Sequence, residues 1–245
     1  ASSFWKPNLD RRSLAAELDL SRDILGGKID IYLLHRDEIE RDVSEIVDTM
    51  DGFVGSGKVA SWGVSNWSGE RLDAALRYAK ANGKEPPRCS SLQDSLAAPT
   101  REPWPGTVFM RSKDRAWYER HAEVAVLGWE CLGKGFLAGK WSVDDAKNSS
   151  RSLSPPREHD DVYSDEWREN QMKQAYLTEA NFARRDRAKS LGQAKGDFRS
   201  EQVAIAWCLS KPYNSHVITA TVNPRHLRSN VSALSLRLTA DEANW

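Results

Sequence analysis

The chain has 245 residues, enough for one sizeable hydrophobic core. Its 35 basic and 35 acidic residues balance, so charge gives no reason to expect nucleic acid or an anionic membrane as partner. No apolar run approaches the ~20 residues of a membrane helix, and the opening "ASSFWKPNLDRR" lacks the apolar stretch of a signal peptide, so a soluble protein is expected.

In chain order, residues 9–26, "LDRRSLAAELDLSRDILG", read as a helix, and "KIDIYLLH" then reads as a buried strand that stops at His35. Ile39, Val43, Ile46, Val47, Met50, Phe53 and Val54 fall on one face of the next helix, which Gly55 and Gly57 end. Asp37 and Glu38 read as solvated residues ahead of it. "KVASWGVSN" is a second strand. Ser68 can cap a helix whose Leu72, Ala75, Leu76 and Ala79 share a face, with Gly83 as its stop. "RCSSLQDSL" and "EVAVLGWECL" are the third and fourth strands. "SLSPPREHDD" is an exposed loop, and residues from about 164 to 195 look helical. Ser200 opens a helix through "EQVAIAWCLS". "SHVITATV" is a fifth strand, Asn223 and Pro224 cap and start a further helix, and Thr239 with Glu242 forms a capping box.

This alternation of near-continuous apolar strands with helices means parallel β/α units. The expected fold is α/β of the (β/α)8 barrel type, a single domain over 1–245, but incomplete: about five units are legible where a barrel has eight. Cys89, Cys131 and Cys208 are far apart and embedded in apolar segments, which reads as buried free thiols in a reducing, cytoplasmic compartment. No spacing resembles a zinc site. Most of the ten tryptophans should be core or pocket wall.

In such units the strand C-termini share one face. The residues at those ends are His35, then Ser65 and Asn66, then Gln93, then the run "GWECLGKGFLAGK" with Trp129, and last "TATVNPRHL" opening a helix. Carboxamides both donate and accept, which suits a ligand that itself carries an amide, such as nicotinamide. Glycines let backbone N–H groups approach a pyrophosphate, and a helix N-terminus favours a phosphate. Taken singly, each residue has a plainer reading: a hydrogen-bonded structural histidine, a Ser-Asn turn, a core tryptophan, a flexible glycine loop.

Together, "DIYLLHRDE", "GKVASWGVSNW", "SLQDSLA", "LGWECLGKGFLAGKW" and "VNPRHLRSNVSALSLRLTADE" resemble the aldo/keto reductases, along with a "PWPG" loop at Pro103–Gly106. The resemblance extends over essentially the whole chain. It implies a nicotinamide-dependent oxidoreductase that interconverts aldehydes or ketones and alcohols. It gives His35 the substrate carbonyl, and Ser65, Asn66 and Gln93 the nicotinamide carboxamide. It places Trp129 against the nicotinamide ring and the loop with Cys131, Leu132, Gly133 and Gly135 along the pyrophosphate. Thr221, His226 and Asn230 fall around the adenosine phosphate. Ala220, His226 and Ser229 depart from residues frequent in the family, and Arg225 or Arg228 could compensate. NADP(H) is the expected cofactor, from the family and from Arg225, His226 and Arg228, with NAD(H) the alternative.

The family's proton-donating tyrosine, its lysine and its aspartate lie on barrel strands upstream of the histidine strand, and no positions here match them. The expectation is therefore a truncated reductase with reduced or no activity alone, acting on a small-molecule carbonyl or alcohol, with a partner chain covering the open barrel edge. The alternative is a non-catalytic relative that binds nucleotide or a partner. A hydrolase or lyase using His35 with Asp37 lacks a phosphate or metal constellation.

Overall fold

A computed structural model of the chain describes residues 7–102, 106–147 and 165–244. The Pro-rich loop at 151–163 and most of the "PWPG" segment lie outside them. The described residues fall into two compact units, one drawn from Ala1–Leu92 and Arg111–Val126, the other from Gln93–Met110 and Leu127–Trp245.

In the first unit, α1 (Arg11–Leu25) begins where the Asp10 carboxylate accepts from the Arg12 and Ser13 amides, and it ends at Gly26, whose φ of 79° is left-handed. Strand β1 (Ile29–Leu34) pairs in parallel with β2 (Val59–Ser65), in the register Ile29↔Val59 to Leu34↔Val64. Strand β2 pairs in parallel with β3 (Cys89–Gln93), Val64 facing Ser90 and Ser65 facing Ser91. The strands approach closely at Gly63, where a Cβ would lie 2.5 Å from the Cys89 carbonyl oxygen. Helix α2 (Val43–Gly55) buries Ile46, Val47, Met50 and Phe53, each worth about 2 kcal/mol of apolar transfer. Helix α3 (Gly69–Asn82) starts at the expected Ser68 cap and buries Leu72, Ala75 and Ala79.

Two expectations for this unit need correction, and one helix was not foreseen. Ile39 does not belong to α2. The Asp42 side chain caps the helix four residues later, and Ile39 is 78% exposed. Strand β1 is not buried along its length, since Ile31 is 53% exposed; among the described residues β1 pairs with β2 alone. Helix α4 (Ser112–Arg120) gives no apolar periodicity in the sequence because only Tyr118 is buried.

The second unit takes β4 (Ala125–Trp129) from Leu127 on, and β5 (Ser215–Val217), joined where the Ile218 amide donates to the Gly128 carbonyl at 2.8 Å. Its core packs Leu96, Phe136, Leu137, Trp141, Met172, Tyr176, Phe182, Val203 and Trp207. The stretch 164–195 is two helices, α6 (Asp165–Tyr176) and α7 (Glu179–Ala194), because the Thr178 hydroxyl caps the second through the Asn181 amide. A short α5 (Val143–Lys147) precedes them. Helix α8 (Ser200–Leu209) is buried from Glu201 to Cys208, which explains its apolar run. Strand β5 is shorter than "SHVITATV" suggests: it ends at Val217, and Ile218 and Val222 beyond it are exposed. Helix α9 (Pro224–Ser232) has the expected Asn223 cap, and α10 (Ala240–Ala243) the expected Thr239–Glu242 box. The β/α alternation is that of the barrel class, with five strands among the described residues.

Candidate functional site

In the first unit, the register Leu34↔Val64 puts His35 and Ser65 at matching positions on the same ends of adjacent strands. His35 is exposed, and partial burial of its ring, then the Arg36 charge, lowers its imidazole pKa from the usual value. Ser65 and Asn66 are buried. Asn66 has a left-handed φ of 59°, its Nδ2 donates to Ser65 Oγ at 2.9 Å, and its amide donates to the Ser91 carbonyl at 3.0 Å. The segment after His35 is not solvated as expected. The Asp37 carboxylate is 10% exposed and pairs with Arg71 at 3.2 Å, while Arg71 Nη2 donates to the Arg41 carbonyl at 2.6 Å. Glu38 accepts from the Leu9 amide and pairs with Arg41. The loop behind His35 is thus held by charge.

The second unit contains a cavity of ≈ 640 Å³, within the size range of small-molecule sites. Trp129, Cys131, Leu132 and Gly135 line it from the end of β4 and the loop after it, and Thr221, His226 and Asn230 from the turn before α9 and from α9 itself. These seven were expected at a ligand site. Trp129 is half-buried and lines the cavity rather than being sealed in the core. Gly135 has a φ of 94°, open to glycine and costly for other residues, so the loop turns back along the cavity here. Thr221 Oγ1 accepts from the Asn223 amide, Asn223 caps α9, and Asn230 Nδ2 donates to Thr219 Oγ1 at 2.7 Å.

Four further expected residues of this unit lie outside the lining. Gly133 is buried beneath the wall, where a Cβ would lie 3.4 Å from the Tyr176 ring. Arg225 is exposed on α9 and does not line the cavity; neither does Arg228. Gln93 is buried, and its Nε2 donates to Tyr176 Oη at 2.9 Å.

Four charged residues also line it, Glu130, Lys134, Arg199 and Glu201, of which only Lys134 falls in the loop expected along a pyrophosphate. The Glu130 side chain is 1% exposed. Its Oε2 accepts from Tyr176 Oη at 2.6 Å, and its Oε1 lies 3.5 Å from Lys134 Nζ. Burial, then the Glu130 charge, pushes the Tyr176 phenol well above its ordinary range. Arg199 Nε pairs with Glu201 Oε1 at 2.8 Å, and its Nη2 donates to Ser229 Oγ at 2.8 Å, which ties the start of α8 to α9. A carboxylate inside the apolar run "LGWECL" was the one legible sign of this layer. The indole wall, the turning glycine loop and the capped α9 suit a dinucleotide: a face for a ring, backbone for a pyrophosphate, a helix start for a phosphate. Among the described residues, no group of three or more His, Cys, Asp or Glu could hold a metal ion, and no helix is long and apolar enough to cross a membrane.

Comparison with known proteins gives the chain's relatives. The aldo/keto reductase family model matches residues 1–244. Versiconal hemiacetal acetate reductase of Aspergillus parasiticus is 26% identical over 97% of this chain and 62% of its own length. The crystal structure of the thermostable aldo-keto reductase Tm1743 with the inhibitor epalrestat superposes with a TM-score of 0.64 at 19% identity, covering 96% of this chain and 65% of that one. The chain therefore spans less than two thirds of the length of either.

Proposed function

Because the chain belongs to the aldo/keto reductase family, we propose that it forms part of a nicotinamide-dependent oxidoreductase interconverting small-molecule aldehydes or ketones and alcohols, and that its ≈ 640 Å³ cavity holds the dinucleotide. The observation that carries this is the gathering of Trp129, Cys131, Leu132, Gly135, Thr221, His226 and Asn230 around one cavity. Bound there, a reduced nicotinamide supplies hydride. The chain's own residues orient and hold. Trp129 offers a flat apolar face for a ring. The loop through Gly135 brings backbone close to a pyrophosphate. Thr221, His226 and Asn230 bind the adenosine end. His35, as a lowered-pKa and hence neutral imidazole, orients and polarises the substrate carbonyl. Ser65, Asn66 and Gln93 keep the role of holding the carboxamide.

The acid that protonates the product oxygen is assigned to none of the described residues. Tyr176 does not fit that task, because its phenol is buried, donates to a carboxylate and is pushed away from neutrality. The proposal therefore includes low or no turnover by the chain alone. The exposed Ile31 supports a partner chain over the β1 edge, and the buried free Cys89, Cys131 and Cys208 support a reducing, cytoplasmic setting.

Titrating the full chain with reduced nicotinamide dinucleotides, followed by nicotinamide fluorescence, tests the cofactor site. Saturable binding that weakens about tenfold on Trp129→Ala is expected. Absence of binding by any nicotinamide dinucleotide would refute the reading. Rapid aldehyde reduction by the chain alone would refute the missing proton donor.

A further inference from the structure

The cavity wall holds two acids and two bases, and each acid is matched. Glu130 lies 3.5 Å from Lys134, and Glu201 lies 2.8 Å from Arg199. Over these four side chains the charges sum to zero. Both carboxylates are fixed in place: the Glu130 side chain is 1% exposed and that of Glu201 is 11% exposed. Arg199 is held from its other side by Ser229 Oγ. The remaining bases of α9, Arg225 and Arg228, are exposed and outside the lining, and Ala220 at the wall brings no charge.

The two forms of the dinucleotide differ at one point. A 2′-phosphate brings a charge of about −1.5 to −2 at neutral pH and requires cations not already matched by carboxylates. A free 2′-hydroxyl brings none, and a carboxylate accepts its hydrogen bond. We infer that this cavity selects NAD(H) over NADP(H), with Glu201, through its hold on Arg199, as the residue that sets the choice. The inference rests on the reading that the cavity takes a nicotinamide dinucleotide. It departs from the NADP(H) expectation drawn from the family and from the arginines of α9.

The test is a binding measurement, independent of turnover. NADH and NADPH are titrated into the full chain by calorimetry and nicotinamide fluorescence at one fixed, low ionic strength. NADH is expected to bind at least about tenfold more tightly. Ala220→Arg adds a cation on an exposed wall position and is expected to tighten NADPH about tenfold while moving NADH by less than about twofold. Glu201→Gln is expected to act in the same direction by releasing Arg199. If the buried position does not tolerate it, the wild-type ratio and Ala220→Arg decide. NADPH binding as tightly as NADH, or more tightly, overturns the inference and leaves the cofactor site standing. An Ala220→Arg variant that gains nothing for NADPH overturns the charge argument. Failure of both nucleotides to bind refutes the cofactor site itself.

Discussion

Replacing Tyr176 by Phe keeps a buried ring in place and deletes one oxygen, which serves two partners. Tyr176 Oη donates to Glu130 Oε2 at 2.6 Å and accepts from Gln93 Nε2 at 2.9 Å, and all three side chains are shielded from water. The bond to the carboxylate is charge-assisted and worth about 2 kcal/mol. The amide loses a neutral bond in a buried setting, about 1 kcal/mol more. The expected cost is thus ~3 kcal/mol, or a melting temperature lower by about 6–12 °C for a chain of this size. Urea denaturation followed by tryptophan fluorescence measures it. Glu130→Gln in the Tyr176→Phe background closes the cycle. The double variant should be less destabilised than the sum of the singles by about 1–2 kcal/mol, because the neutral amide no longer needs the lost donor. A Tyr176→Phe cost below about 1 kcal/mol, or strict additivity in the cycle, would show that the Gln93–Tyr176–Glu130 chain of bonds does not hold the cavity floor.

Alkaline pH should weaken the protein. Burial pushes the Cys89 thiol from 9.0 up to about 11 and the Cys131 thiol to about 12, and it raises the Tyr176 phenol as well. A raised folded pKa gives stability that is whole below the unfolded value and is lost as pH climbs through the folded one. Urea midpoints should therefore hold below about pH 8.5 and fall from there toward pH 11, with a flat profile refuting the assignment. Native protein should react slowly with an aromatic disulfide reagent and release three equivalents once denatured, since all three thiols are buried and free. Gly192→Ala would place a Cβ against the Phe198 carbonyl oxygen and 2.9 Å from its carbon, for an expected loss of about 3 kcal/mol or failure to fold. Asn66→Ala should cost about 2 kcal/mol, half from its left-handed φ of 59° and half from the bond to Ser65, and Asn66→Gly should recover roughly the first half.

What the sequence disclosed was local. Ser68, Asn223 and the Thr239–Glu242 pair cap their helices as read, because a capping side chain answers amides two or three residues away. The strand ends were legible for the same reason: each apolar run stops near a polar residue, and Trp129 and His226 follow directly from that punctuation. Ile39 and Ile31 were misplaced because their burial depends on what covers them, which periodicity does not report. Helix α4 was invisible because one buried tyrosine makes no pattern. The ionic layer of the cavity was missed in a similar way. Glu130 and Tyr176 are 46 positions apart, and nothing in either neighbourhood announces the other.

Between positions 130 and 135, Glu130, Gly133, Lys134 and Gly135 all carry positive φ, at 60°, 54°, 53° and 94°. Two of these residues are not glycine, and each stores roughly 1–2 kcal/mol of steric discomfort. Tolerance to substitution should be inverted along this stretch. Glycine, which weakens helices and strands elsewhere, is the replacement the main chain accepts most readily at Lys134, whereas valine or isoleucine there would unseat the turn.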